Sequence, residues 1–194
     1  MNTYRLLLPA ALVLLPTAAS AQSSIRPADV TEHASQHTNP EAVAAARSWF
    51  DRLKTLAGTW QGTVTTDPAI PDMTGEVITI TMMVTSSGNA VMHQMTRARA
   101  ADNPLTIFYL EGDRLFLTHY CDSGNRVRME GKLSDDRNTV TFEFVDLIGP
   151  MQHGHMNRAV FSLLDAERHV EEWTYVLPNG AKVNAGGQLR RVAP

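Results

Sequence analysis

From Gly58 to the C-terminal arginines, apolar residues recur at every second position, which confines the chain to strands that bury one face. Ten stretches carry the pattern: "GTWQGTVTT", "EVITITMMVTS", "NAVMHQMTRA", "LTIFYLEG", "RLFLTHYC", "RVRMEGKL", "TVTFEFVD", "MNRAVFSLL", "HVEEWTYVL" and "KVNAGGQLRRV". Tight turn signals separate several of them, among them Ser86-Ser87-Gly88-Asn89, Glu111-Gly112-Asp113 and Pro178-Asn179-Gly180. Short strands at regular spacing behind one helical segment predict an all-β fold. The expected architecture is an antiparallel up-and-down barrel of about ten strands with one N-terminal helix, the barrel covering residues 58–194. The longest irregular stretch inside it is "DLIGPMQHGHM", residues 146–156.

The helix is expected over residues 40–57. Asn39 is a suitable cap, Pro40 fits the first turn, and Glu41 complements the positive end of the helix dipole. Val43, Ala46, Trp49, Phe50, Leu53 and Leu56 then recur at spacings of three and four, an amphipathic stripe. Residues 22–39 are rich in Ser, Thr, Pro and Gln without an apolar period and read as a flexible segment. Residues 1–21 read as a signal peptide. Arg5 supplies the positive flank, Leu6 to Leu15 an apolar core too short to span a bilayer, and Ala19-Ser20-Ala21 a small-residue cleavage site. The expectation is export to the periplasm or medium, with cleavage near Ala21 and no membrane span.

Losing a leader whose one charge is Arg5 takes the formal net charge from −3 to −4. That balance argues against nucleic acid or an anionic membrane as the main partner. A lone cysteine, Cys121, permits no internal disulfide, so stability must come from burial and backbone pairing.

Alternation sorts the faces. Leu115, Leu117, His119 and Cys121 share one side of their stretch, and Val140, Phe142 and Phe144 share the inward side of another. In "HVEEWTYVL" the sequence leaves two assignments open. His169, Glu171, Trp173 and Tyr175 form either a polar pocket wall or an ordinary wet surface. Glu171 and Glu172 are adjacent on a strand and must point to opposite faces, which speaks against a joint acid–base role.

Gly58-x-Trp60 behind a helical lead-in resembles the opening of the lipocalin and wider calycin barrels. The resemblance implies a tryptophan plugging the closed end and an arginine of the last strand packed across it, here Arg190 or Arg191. Ten strands are closer to the fatty-acid-binding and nitrobindin branches than to eight-stranded lipocalins. The nitrobindin-like branch holds haem through a histidine near the chain end, and no histidine follows His169 here. The Thr118–Cys121 run before Gly124-Asn125 and Arg126–Met129 is also similar to a set of exported bacterial proteins for which that grouping implies no mechanism.

Several functions compete on these residues. The first is an interior pocket for a small apolar or amphipathic molecule, lined by His119, Tyr109, Arg128, His93 and Trp173. The second is a soft-metal or haem-type site, in which His119 and Cys121 emerge on one face and the His153–Gly154–His155 loop completes the ligand set, with Met92, Met95, Met151 and Met156 nearby in type. The third is a hydrolase or isomerase using the same interior, for instance with Cys121 as nucleophile and His119 as base; no orienting acid accompanies that pair. The last is a structural envelope protein without a pocket. Neither a cofactor nor an oligomeric state is specified by the sequence.

Overall fold

The computed structural model describes residues 39–192 except 100 and 102. The expected signal peptide and residues 22–38 lie outside the described residues.

Helix α1 runs Pro40–Lys54, with Asn39 Oδ1 accepting a hydrogen bond from the Glu41 amide at 3.0 Å. Eleven strands follow: β1 Gly58–Thr63, β2 Thr65–Asp67, β3 Val77–Thr85, β4 Ala90–Arg97, β5 Leu105–Glu111, β6 Arg114–Tyr120, β7 Arg126–Leu133, β8 Thr139–Ile148, β9 His155–Leu163, β10 Arg168–Val176 and β11 Lys182–Arg191. Every sequential neighbour from β3 to β11 pairs antiparallel, and β1 pairs with both β3 and β11, which closes a ten-stranded barrel. The short β2 continues the line of β1 past Val64 and pairs with β11 through Asn184–Gly186.

The alternation read from the sequence becomes the inside of this barrel. Trp60, Ile80, Val91, Phe108, Leu115, Leu117, Val127, Met129, Phe142, Phe161 and Leu189 are all buried. At one end lie the β3–β4, β5–β6, β7–β8 and β9–β10 turns together with α1, whose Trp49, Phe50 and Leu53 join the same buried cluster. The helix is fastened there by polar contacts: Trp49 Nε1 donates to the Arg137 carbonyl at 3.1 Å, and Arg52 donates to the same carbonyl. Arg191 finishes the plug. Its guanidinium lies 4.2 Å from the Trp60 ring centroid and donates to the carbonyls of Ala57 at 2.8 Å, Thr55 at 2.9 Å and Ala166 at 3.1 Å. Trp60 Nε1 donates to Leu56 O at 2.7 Å. These contacts satisfy the last carbonyls of the lead-in turn while filling the barrel floor.

The other end carries the 121–125, 149–154 and 177–181 connections and the long 68–76 segment between β2 and β3. Among the described residues no helix is long and apolar enough to cross a membrane.

Candidate binding site in the barrel interior

Above the apolar floor, the inward positions of β4, β5, β6 and β10 turn polar. His93, Thr106 and His119 occupy one row across three adjacent strands, because the register pairs His93 with Thr106 and Thr106 with His119. On β10, His169 and Glu171 are buried and Trp173 is half-buried, which decides the open assignment of that strand. Glu172 is exposed, so the two carboxylates face opposite ways as expected.

Glu171 is the hub. Its carboxylate lies 3.0 and 3.2 Å from His93 Nε2, 2.9 Å from His169 Nε2, and accepts from Trp173 Nε1 at 3.2 Å. Burial would raise this carboxyl; the facing His93 and the imidazole hydrogen bonds outweigh burial and hold it below the usual carboxylate range. Gly187 is its register partner on β11, and a Cβ there would stand 2.5 Å from Thr63 O, so the backbones of β1 and β11 approach closely beside the hub.

His119 is separate from that network. Its Nδ1 is 2.9 Å from Thr106 Oγ1, and its ring lies 5.3 Å from Trp173. Burial, reinforced by His93, pushes its pKa down to about 4, so the ring is neutral at ordinary pH. Three ring nitrogens in this cluster, His93 Nδ1, His119 Nε2 and His169 Nδ1, are buried without a hydrogen-bond partner. Buried polar atoms are nearly always paired, so such orphans point to a missing partner.

His93, His119, Glu171, Trp173 and Thr106 line a cavity of about 90 Å³ whose remaining wall is mostly apolar, with Ile80 and Leu189 toward the floor and Val64 toward the open end. Half-buried Met73, Arg97, Pro104 and Met156 surround its outer part, where Arg97 pairs with Glu76 at 3.2 Å. The space is smaller than the roughly 150 Å³ apolar cavity that takes up benzene.

Two residues expected to line the interior do not. Tyr109 lies on the outer side of β5, because Phe108 takes the inward phase; its ring stacks on Phe116 at 6.0 Å and its hydroxyl pairs with Thr118. Arg128 lies outside for the same reason, between the buried Val127 and Met129, and pairs with Asp146 at 2.6 Å.

The expected metal quartet is also corrected. Among the described residues no group of three or more His, Cys, Asp or Glu side chains is arranged to hold an ion. His119 points into the barrel, whereas Cys121 stands in the turn beyond the end of β6, half-buried, with its Sγ accepting from Ser123 at 3.1 Å. His155 Nδ1 is spent on the Met156 carbonyl at 2.8 Å, and its ring packs against Phe144. The glycine between His153 and His155 has a structural reason: at φ +86°, a Cβ on Gly154 would lie 2.2 Å from Val176 O. Buried Asn125 ties this loop down, donating to Pro150 O at 3.0 Å and Gly154 O at 2.8 Å.

No protein-family model and no curated protein sequence matches the chain. Among solved structures, it is similar to a protein of unknown function from the DUF3598 family of Nostoc punctiforme PCC 73102, at 12% identity and a TM-score of 0.48. That alignment covers 72% of this chain and 49% of the other, so the chain spans about half that protein's length. A redesigned β-barrel aligns at 12% identity and TM-score 0.38 over 73% of this chain and 95% of its own. A third structure, EF1p2_mFAP2b bound to DFHBI, aligns at 13% identity and TM-score 0.35 over 77% of this chain and 99% of its own.

Proposed function

We propose that this chain is an exported, calycin-like barrel that binds one small, partly apolar molecule in its interior. The observation that carries the reading is the pair of unpartnered buried nitrogens, His93 Nδ1 and His119 Nε2, on residues lining an otherwise apolar cavity. An unpaired buried polar group costs on the order of 1–3 kcal/mol, and a ligand supplying a hydrogen-bonding head recovers that cost. The volume selects a compact head group, with any longer tail leaving between Met73 and Met156. The leader Met1–Ala21 supports export, and N-terminal sequencing of protein from the periplasm should begin near Gln22.

Tryptophan fluorescence tests binding. The Trp173 ring lies 5.3 Å from that of His119, so 2-propanol, isobutyric acid and hexanoic acid, titrated singly, should change its emission saturably for at least one of them. Trp173→Phe should remove that response while Trp49 and Trp60 remain. Unchanged emission with all three ligands contradicts the reading.

A further inference from the structure

Resting on the reading of the interior as a small-molecule pocket, we propose that the cavity is a proton-transfer site. His93 would be the base and His119 the hydrogen-bond donor for a small aldehyde or ketone with an enolisable α-C–H. The geometry separates the two imidazoles into different jobs. His93 is turned by Glu171, which meets Nε2 with both oxygens at 3.0 and 3.2 Å; with that proton donated to the carboxylate, the Nδ1 lone pair is left over and has no partner. His119 meets Thr106 Oγ1 through Nδ1, and when the hydroxyl donates, Nε2 carries the ring proton, also without a partner. The two histidines sit two strands apart in one row, roughly 10 Å between Cα positions, with Trp173 against both rings at 6.0 and 5.3 Å.

The step balances without a co-reactant. The α-proton passes to His93 Nδ1, the C–H pair becomes the new C=C bond, and the carbonyl π pair moves onto oxygen, which accepts from His119 Nε2–H. The proton, or a solvent deuteron exchanged onto His93, then returns to the same α-carbon while the oxygen pair re-forms the C=O bond, giving hydrogen exchange or epimerisation at that carbon. Glu171, fixed by His169 and Trp173, is a positioning residue: it holds the His93 tautomer and stabilises the imidazolium that forms. A neutral imidazole, as burial makes His119, donates to an enolate oxygen without first protonating the carbonyl, a division of labour known between paired acid and base groups elsewhere. Thr106 carries the hydroxyl that lines the cavity, and it is engaged with His119, so the wall offers proton transfer rather than hydroxyl attack.

The test uses the full chain in D2O with butanone and cyclopentanone as probes. Saturation-transfer NMR reports binding, and loss of the α-proton signal reports exchange in the same tube. The expected result is binding together with exchange well above buffer. His93→Gln should lower exchange at least a hundredfold when rates are compared at saturating probe, so that any loss of affinity is separated from loss of proton transfer. Should that variant lose its β-sheet circular dichroism, His119→Phe, which leaves the Glu171 network intact, should give a comparable loss. Binding without exchange, or full exchange in a folded His93→Gln or His119→Phe, overturns the proton-transfer proposal and leaves the pocket standing. Neither binding nor exchange overturns both.

Discussion

Glu171 of β10 and His93 of β4 meet through the middle of the barrel, carboxylate to Nε2 at 3.0 Å, although their strands are not neighbours in the sheet. Each side chain is 4% exposed, so the pair is shielded from water and salt. It couples opposite walls in a way that backbone pairing does not.

Removing the charge at the hub should therefore be expensive. Glu171→Gln leaves at least one of the His93, His169 and Trp173 donors facing an amide nitrogen instead of a carboxylate oxygen. The expected loss is about 3 kcal/mol, read from urea unfolding midpoints at an unchanged slope. A loss below about 1 kcal/mol would show that the network contributes little.

Acid should destabilise the fold in two stages. His119 titrates at about 4 when folded against 6.5 when free, so between those values the unfolded chain binds the extra proton and stability falls as pH falls. The full effect is on the order of 3 kcal/mol by pH 4. Glu171 works in the same direction: its folded pKa is depressed, so its contribution is present above the free carboxylate value and is lost as pH drops below it. Unfolding titrations at pH 7, 5.5 and 4.5 should show the first stage in the wild type and a flatter profile in His119→Phe. Parallel profiles would mean that His119 is not the group responsible.

At the closed end, Arg191→Met keeps most of the side-chain length but removes the stack on Trp60 and the donors to Thr55, Ala57 and Ala166. A loss of roughly 1–3 kcal/mol is expected from carbonyls left without partners. Thermal unfolding measures it, and a Tm equal to wild type would show that water replaces the guanidinium at no cost.

Leu53→Ala tests whether α1 is part of the core or merely rests on it. Leu53 is fully buried among barrel residues. A loss of about 2–5 kcal/mol in a single cooperative transition is expected. A separate early transition for the helix would show that the plug unfolds independently.

The closed barrel and its plug were legible because they rest on local patterns. Alternation set the strands, the Asn39-Pro40-Glu41 cap set the helix start, and Gly58-x-Trp60 with a C-terminal arginine anticipated the Trp60–Arg191 stack. The polar hub was half legible. His169, Glu171 and Trp173 share a phase in the sequence, but nothing local says whether that phase faces in, and His93 lies 78 residues from Glu171. Their meeting depends on the barrel's closure and diameter, which are properties of the whole sheet. Tyr109 and Arg128 have side chains suited to a pocket and the wrong phase for one, since Phe108 and the Val127/Met129 pair already claim the inward positions. The His119–Cys121 pair failed for a different reason: the strand ends at Tyr120, so two-residue spacing no longer sets the direction of the thiol.

With Trp49, Phe50 and Leu53 of the helix packed into one end, the barrel is a cul-de-sac. On the proposed reading, a guest would have to back out along the path by which it entered before another could take its place. Occupancy would then be one at a time, and competing guests would exclude each other even if their chemistry differed. The speed of that exchange would belong to the rim, and the choice of guest to the histidines below it.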